Sequence, residues 1–414
     1  MHFGIISPPV SGHLHPFGAL GRELISRGHR VTLFHMPDLA DRAQEEGLEF
    51  VAVGESDHPR GSLPDSLRQL GKLHGLAALR FTIDAVRRTT EMLCREAPAA
   101  VRTASVDFLL VDQVEPAGGS VAEHIGIPFV TISNALLLNR EPDVPPPFTG
   151  WSYQPGAWAR IRNRLGYEAS GLLTRPVTQV LRKARQQWKL PAHATPGDSI
   201  SKLAQISQQP AAFDFPRREL PPSFHYVGPL RRAPLRKIPF PWEKLDGRPL
   251  VYASLGTLQN AREPIFRLFS EACADFPVQL VITHGGGLDD DAAASFPGNP
   301  LVVSYAPQMD VLARATLTLT HAGLNTVLDS LANGVPLVAI PLTYEQPAIA
   351  RRVVWSGVGE TIPFSDLDLP KLRNTIARVL SEPVYAEKAR QMKTAIEQAG
   401  GAVKAADLIE GLAR

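Results

Sequence analysis

Between residues 305 and 346 the chain reads YAPQMDVLARATLTLTHAGLNTVLDSLANGVPLVAIPLTYEQ, and its polar side chains fall in an order that could do chemistry. Gln308 precedes an apolar run at 317–320. His321 and Asn325 flank a turn, Asp329 follows one helical turn later, and Glu345 and Gln346 come after a second apolar run at 336–340. This spacing predicts a strand, a tight turn at 321–323, a helix over 324–333, another strand and a polar loop. Asn325 and Thr326 then fall in a first turn whose amides lack helical partners, where free N–H groups and the helix dipole suit a phosphate. Gly323 and the small Ala322 let the backbone come close to a ligand. The order would serve a base or ribose, a diphosphate, the ribose again, and finally a sugar.

A second set of candidates lies far away in sequence. Ser11-Gly12-His13-Leu14-His15-Pro16 follows the first apolar run and is expected as a loop at the carboxyl edge of a sheet, where ligands bind in α/β folds. An imidazole there could take a proton from a hydroxyl, an effect worth roughly 10²–10⁴-fold in rate. His13 is the preferred base because it directly follows Gly12, and His15 is its competitor. A surface turn with incidental histidines is the plain alternative. Asp112 ends the run DFLLVD and could hold the other imidazole nitrogen, or simply cap the next helix. Ser254, Gly256 and Thr257 close the first strand of the second half, and could offer hydroxyls and amides to phosphate oxygens or form an ordinary turn.

These residues need a scaffold. Apolar runs at 3–7, 31–34, 50–53, 107–112 and 128–133 alternate with helical patterns, and a second series at 251–254, 278–283, 301–304, 317–320 and 336–340 repeats the arrangement. Such alternation indicates parallel, doubly wound sheets. The stretch NREPDVPPPFTGWSYQPGAW at 139–158 is too rich in proline for an element interior and reads as a long loop. Its Phe148, Trp151, Tyr153 and Trp158 could line an apolar pocket or merely anchor the loop.

Composition removes several classes. With 43 basic and 41 acidic residues there is no electrostatic case for nucleic acid or for an anionic membrane surface. Two cysteines, Cys94 and Cys273, suggest neither a disulfide framework nor a zinc site, and fit a reducing cytoplasm. The start, MHFGIISPPVSGH, does not read as a signal peptide, and no apolar run is long enough to span a bilayer. No GxGxxG or P-loop lysine motif follows a strand, which argues against nicotinamide, flavin and ATP chemistry. Asp289–Asp291 and Asp366/Asp368 are expected as solvated turn and capping groups, not metal ligands.

Taken together, APQ at 306–308, HAGxNTxLD at 321–329, GVP at 334–336 and EQ at 345–346 resemble the donor-binding signature of the family 1 glycosyltransferases. Gly12-His13-x-x-Pro16 resembles that family's catalytic histidine loop, Asp112 its partner aspartate, and YVGPL at 226–230 the segment closing its N-terminal domain. Within the family, HAGLNTVLD, VDQVEPAG and NREP look most like bacterial zeaxanthin glucosyltransferases. Tyr305 stands where tryptophan is usual before APQ, Leu324 where tryptophan often precedes the asparagine, and Glu345 where aspartate is common.

The resemblance implies the α/β GT-B fold, with two doubly wound Rossmann-like domains facing a central cleft. An acceptor-binding domain is expected over 1–228, a linker over 229–247 and a nucleotide-sugar domain over 248–385. A helical segment at 386–414 is expected to pack back on the first domain. It further implies an inverting, metal-free and cofactor-free UDP-hexosyltransferase acting on an apolar hydroxylated acceptor such as a carotenoid. The chain would be cytoplasmic, with peripheral membrane contact. Tyr305 would lie under the base, Gln308 and Asp329 on the ribose, His321 and Asn325 on the diphosphate, and Glu345 and Gln346 on the sugar. A UDP-sugar epimerase of similar two-domain shape is the alternative.

Overall fold

The computed structural model describes the whole chain except residues 74, 234, 236, 257–261, 290–294 and 414. Seven strands, β1 (His2–Ile6), β2 (Arg30–His35), β3 (Glu49–Ala52), β4 (Phe108–Asp112), β5 (Phe129–Ser133), β6 (Gln205–Ser207) and β7 (Phe224–Tyr226), form one parallel sheet. Their spatial order is β3-β2-β1-β4-β5-β6-β7. Six more, β8 (Leu250–Ser254), β9 (Gln279–Thr283), β10 (Leu301–Val303), β11 (Ala315–Thr320), β12 (Leu337–Ala339) and β13 (Gly359–Thr361), form a second, in the order β10-β9-β8-β11-β12-β13. Both sheets are therefore doubly wound, as the alternating runs predict.

The strand order fixes where ligands can bind. The direction in which successive strands are added reverses between β1 and β4 in the first sheet and between β8 and β11 in the second, and such switch points open a crevice at the carboxyl ends of the strands. Ser11 follows β1, Asp112 ends β4, Ser254 ends β8 and His321 follows β11. All four candidate segments thus lie at a switch point. The strands that carry them are buried on both faces, with Ile5, Leu110, Ala253 and Leu319 fully inaccessible, so helices must cover each side.

Two expectations need correction, and two short strands escape the sequence. The stretch 11–16 is not a loop: the helix starts at Ser11 and runs to Ser26, with Pro16 inside it. Its sixth residue is a proline, which cannot donate to the carbonyl four residues back, so the pattern looks broken in sequence. The strands β6 and β13 were hidden because three residues carry no readable periodicity. The final helical pattern is two helices, Pro383–Ala399 and Gly401–Leu412, parted where Gly400 and Gly401 both adopt positive φ.

The last helix crosses to the first sheet's side. Ala402, Ala405, Ala406 and Ile409 join the core that holds Phe17 and Leu20, and Arg27 Nη1 donates to Asp407 and Glu410 at 2.7 and 2.9 Å. A second junction lies deeper. Arg352 Nε and Nη2 donate to Asp214 Oδ1 at 3.0 and 2.9 Å, with both side chains almost wholly buried. Arg217 and Tyr226 complete the carboxylate's shell. The two guanidinium groups outweigh burial and hold Asp214 at a pKa of about 2.

Candidate active site

His13 Nδ1 stands 2.8 Å from Asp112 Oδ2. The helix that starts at Ser11 and the end of β4 bring them together across 99 residues of sequence. Asp112 is fully buried and saturated: Oδ2 also accepts from Asn134 Nδ2 at 3.0 Å, and Oδ1 from the Val114 amide at 3.0 Å. With Nδ1 spoken for, Nε2 is the nitrogen left to accept a proton, and it has no protein partner among the described residues. Burial pulls the imidazole toward its neutral form. The charge and hydrogen bond of Asp112, aided by Glu345 and Glu115, outweigh that, so the His13 pKa is raised above the ordinary 6.5.

His15 lies two residues on, about 200° around the helix, and so faces elsewhere. It meets Glu46 at 2.7 Å and Arg42, and is mostly exposed. Of the two candidate bases only His13 reaches Asp112.

The second half presents the helix Leu324–Ala332, whose first amides receive no side-chain cap. His321 packs beneath it between two glycines. A Cβ on Gly256 would lie 2.8 Å from its ring, and one on Gly323 2.6 Å, so both positions require glycine for this approach. Burial lowers the His321 pKa to about 4, so this residue is neutral and offers hydrogen bonding without charge. Thr326 is buried one residue beyond Asn325, and Ser254 Oγ accepts from the Gly256 amide at 3.3 Å. Thr257 lies outside the described residues.

Gln308 Nε2 donates to Asp329 Oδ2 at 2.6 Å, and Tyr252 donates to Gln308 Oε1 at 3.0 Å, which fixes the amide's orientation. Tyr305 is exposed and donates to the Gly285 carbonyl at 3.2 Å, leaving a ring face free. Gln346 Oε1 accepts from the Leu342 and Thr343 amides at 2.8 and 2.9 Å, so only its NH₂ end remains for a ligand. Glu345 Oε2 accepts from the Leu136 amide of the first half at 2.9 Å, and its burial raises its pKa.

The halves meet at the reacting end. Asn325 Nδ2 donates to the Gly12 carbonyl at 2.7 Å, while its Oδ1 accepts from Gln208 Nε2 at 3.1 Å and Arg231 Nη2 at 3.0 Å. The diphosphate candidate is thus held by protein groups from the opposite half and the linker. Arg231 Nε also donates to Asp329 Oδ1 at 2.6 Å, so one guanidinium bridges the helix start and the ribose candidate.

Four residues in this constellation went unremarked in sequence. Asn134 and Gln208 each follow a strand at the same sheet edge, a position that could have flagged Asn134, although Gln208 follows the unreadable β6. Arg231 was hidden in a segment expected only to link domains. Glu115, buried beside the dyad and pushed up by burial to a pKa of about 8, stands inside the VDQVEPAG motif with no sequence signal of its own.

The aromatic pocket fares differently. Tyr153 stacks on Phe215 at 5.3 Å and meets Trp355 edge-on, and Trp151 lies under Arg162 at 4.9 Å, so both pin the coil. Phe148 is exposed, and Trp158 stands in solvent on the first turn of the helix Ala157–Leu173. Among the described residues no ring contact joins any two of these four. No group of three or more His, Cys, Asp or Glu among the described residues could hold a metal ion.

The family model described as UDP-glucoronosyl and UDP-glucosyl transferase matches residues 74–398, and that of the glycosyltransferase family 28 N-terminal domain matches 11–132. A zeaxanthin glucosyltransferase of Pantoea ananas is 36% identical over 413 residues, covering 99% of this chain and 95% of its own. That of Pseudescherichia vulneris is 37% identical over 415 residues, with 99% and 97% covered. A demethyllactenocin mycarosyltransferase of Streptomyces fradiae is 30% identical over 428 residues, with 99% and 86% covered. Among solved structures, the glycotransferase of kitacinnamycin superposes with a TM-score of 0.78 at 24% identity, covering 100% and 99% of the two chains. A calicheamicin glycosyltransferase gives 0.76 at 24% identity, with 99% and 97% covered. The structural likeness identifies the GT-B fold.

Proposed function

The chain belongs to the UDP-glucoronosyl and UDP-glucosyl transferase family, and from that premise we propose that it moves glucose from UDP-glucose, with inversion, to a hydroxyl of an apolar acceptor such as a carotenoid alcohol. The observation that carries this reading is the His13–Asp112 pair at 2.8 Å, held against the start of the donor helix by the 2.7 Å bond from Asn325 to Gly12.

His13 Nε2 takes the acceptor's proton as the oxygen attacks the anomeric carbon. The bond from that carbon to the β-phosphate oxygen breaks on the opposite face, and its electron pair leaves with UDP. One displacement inverts the centre, so an α-linked donor yields a β-glycoside. Asp112 keeps Nε2 as the accepting nitrogen and stabilises the imidazolium that forms. The unpaired amides at 324–326 face the charge growing on the departing diphosphate, an effect of at most about 2 kcal/mol from the dipole. Neutral His321 adds a hydrogen bond. Arg231, freed from Asp329 and Asn325 as ribose and phosphate arrive, supplies the positive charge. Gln308 and Asp329 hold the ribose, Tyr305 stacks on the base, and Glu345 with the Gln346 amide holds sugar hydroxyls. The reaction uses neither metal nor cofactor, and takes place in the cytoplasm.

The acceptor class rests on the relatives named zeaxanthin glucosyltransferase. An epimerase, the alternative open to the sequence, has no observation in its favour. Incubating the protein with UDP-glucose and a panel of hydroxylated apolar alcohols, zeaxanthin included, followed by mass spectrometry, tests the reading. A mass gain of one hexose on an apolar alcohol is expected. Altered donor stereochemistry without any acceptor product would sink it.

A further inference from the structure

The helix Ala157–Leu173 has two apolar faces, and only one is covered. Ala159, Asn163 and Tyr167 turn inward and are buried. On the other side Trp158, Ile161, Leu165 and Leu172 are 84%, 52%, 64% and 71% exposed. At 100° per residue these four fall within about 60° of one another, a continuous stripe along the helix. A solvated helix face is ordinarily polar, so a stripe of this kind marks a contact surface.

The charge around it is one-sided. Residues 157–187 hold seven Lys and Arg against a single acid, Glu168, in a chain whose net charge is +2. The next helix, Arg175–Gln187, packs against the first. Among the described residues Arg164, Arg175, Arg182 and Lys183 are exposed and make no ion pair. From this we infer that the face is a docking surface for an anionic lipid bilayer, with the stripe seated among the acyl boundary and the arginines on the headgroup phosphates.

Three observations choose this occupant. A second copy seated across a twofold axis would oppose two strongly basic surfaces, which charge repulsion disfavours. A nucleic acid could stack a base on Trp158 but offers no apolar surface to cover Ile161, Leu165 and Leu172. The helix also continues from the coil that borders the cleft, where the Leu136 amide binds Glu345 and the Gly150 carbonyl accepts from Arg351 at 2.7 Å. Docking by this face would hold the cleft beside the membrane surface. No helix among the described residues is long and apolar enough to cross a bilayer, so the contact is peripheral. The inference concerns how the chain meets a lipid surface, and it stands whichever hydroxyl is glycosylated.

Flotation of the full chain with vesicles tests it. Wild type is expected to float with vesicles containing 30% phosphatidylglycerol, about tenfold less with pure phosphatidylcholine, and less as salt rises. Leu165→Gln with Leu172→Gln should reduce flotation about tenfold, as should Arg164→Glu with Arg175→Glu, while each variant keeps wild-type thermal unfolding. Trp158 emission should shift to shorter wavelength on vesicle addition, a change absent in Trp158→Phe. Failure of wild type to float, or variants that float like wild type, would overturn the inference. So would sedimentation showing a wild-type dimer that the Leu165/Leu172 variant converts to monomer, since the occupant would then be a second copy.

Discussion

The side-chain amide of Asn325 lies 2.7 Å from the carbonyl oxygen of Gly12, and Pro16 is the reason that oxygen is free. In a regular helix the amide of residue 16 would bond to the carbonyl of residue 12. Proline has no N–H, so the helix start turns an acceptor outward, toward the opposite half of the molecule. A break in the first helix thus becomes the point where the two halves meet beside His13.

Pro16→Ala returns a competing donor to that carbonyl. Urea unfolding of Pro16→Ala, Asn325→Ala and the double variant should show non-additive losses, with a coupling of about 0.5–1 kcal/mol. Strict additivity would mean that Pro16 and Asn325 act separately.

The raised pKa of His13 sets the pH dependence. The base must be neutral to accept a proton, so the rate of transfer at low acceptor concentration should climb with pH through an apparent pKa above 6.5. Asp112→Asn removes the main cause of the rise and should move this limb to lower pH as well as lowering the rate. An unmoved limb in Asp112→Asn would separate the titration from the dyad.

Arg231 spans Asp329 and Asn325 at 2.6 and 3.0 Å, while His321, the other basic candidate for the diphosphate, is neutral. Calorimetry should therefore find that Arg231→Gln weakens UDP about tenfold, close to 1.4 kcal/mol, yet leaves uridine within twofold. Equal losses for UDP and uridine would show that Arg231 serves the ribose pocket instead of the phosphates.

Asp214 and Arg352 form a buried pair between the halves, with Arg217 as a third member. Removing the carboxylate strands both buried guanidinium groups, so Asp214→Asn should cost about 3–5 kcal/mol in chemical denaturation. A loss below about 1 kcal/mol would mean that the pair is already hydrated.

Glu115 keeps its proton to about pH 8 when folded, against an ordinary value of 4.5. Between those limits the unfolded chain ionises and the folded one does not, so the wild type loses stability as pH rises, by up to about 1.4 kcal/mol per pH unit. Glu115→Gln carries no such penalty. Its melting temperature should gain on wild type steadily from pH 4.5 to 8, and a constant gap would contradict the buried proton.

Much of this was legible in sequence where the physics is local. The run from Leu317 to Gln346 showed strand, turn and helix because its apolar spacing changes period at the HAG turn, and the β8–β11 half followed the same logic. What could not be read depends on partners distant in sequence. His13 and His15 look alike until the helix turns them to opposite sides. Arg231 looks like a linker residue until the second half folds against it. Trp158 looks like a pocket aromatic until the helix carrying it is seen to bury Ala159, Asn163 and Tyr167 instead. The short strands β6 and β13 owe their existence to neighbours already in the sheet, since three residues have too little pattern of their own.

The central claim is that His13 removes the acceptor's proton. Acceptor-dependent release of UDP from UDP-glucose by His13→Ala, measured beside its affinity for UDP, tests it most directly. Release should fall by about 10²–10⁴-fold while UDP binds as it does to wild type. Release within a fewfold of wild type, with UDP still bound, would contradict it.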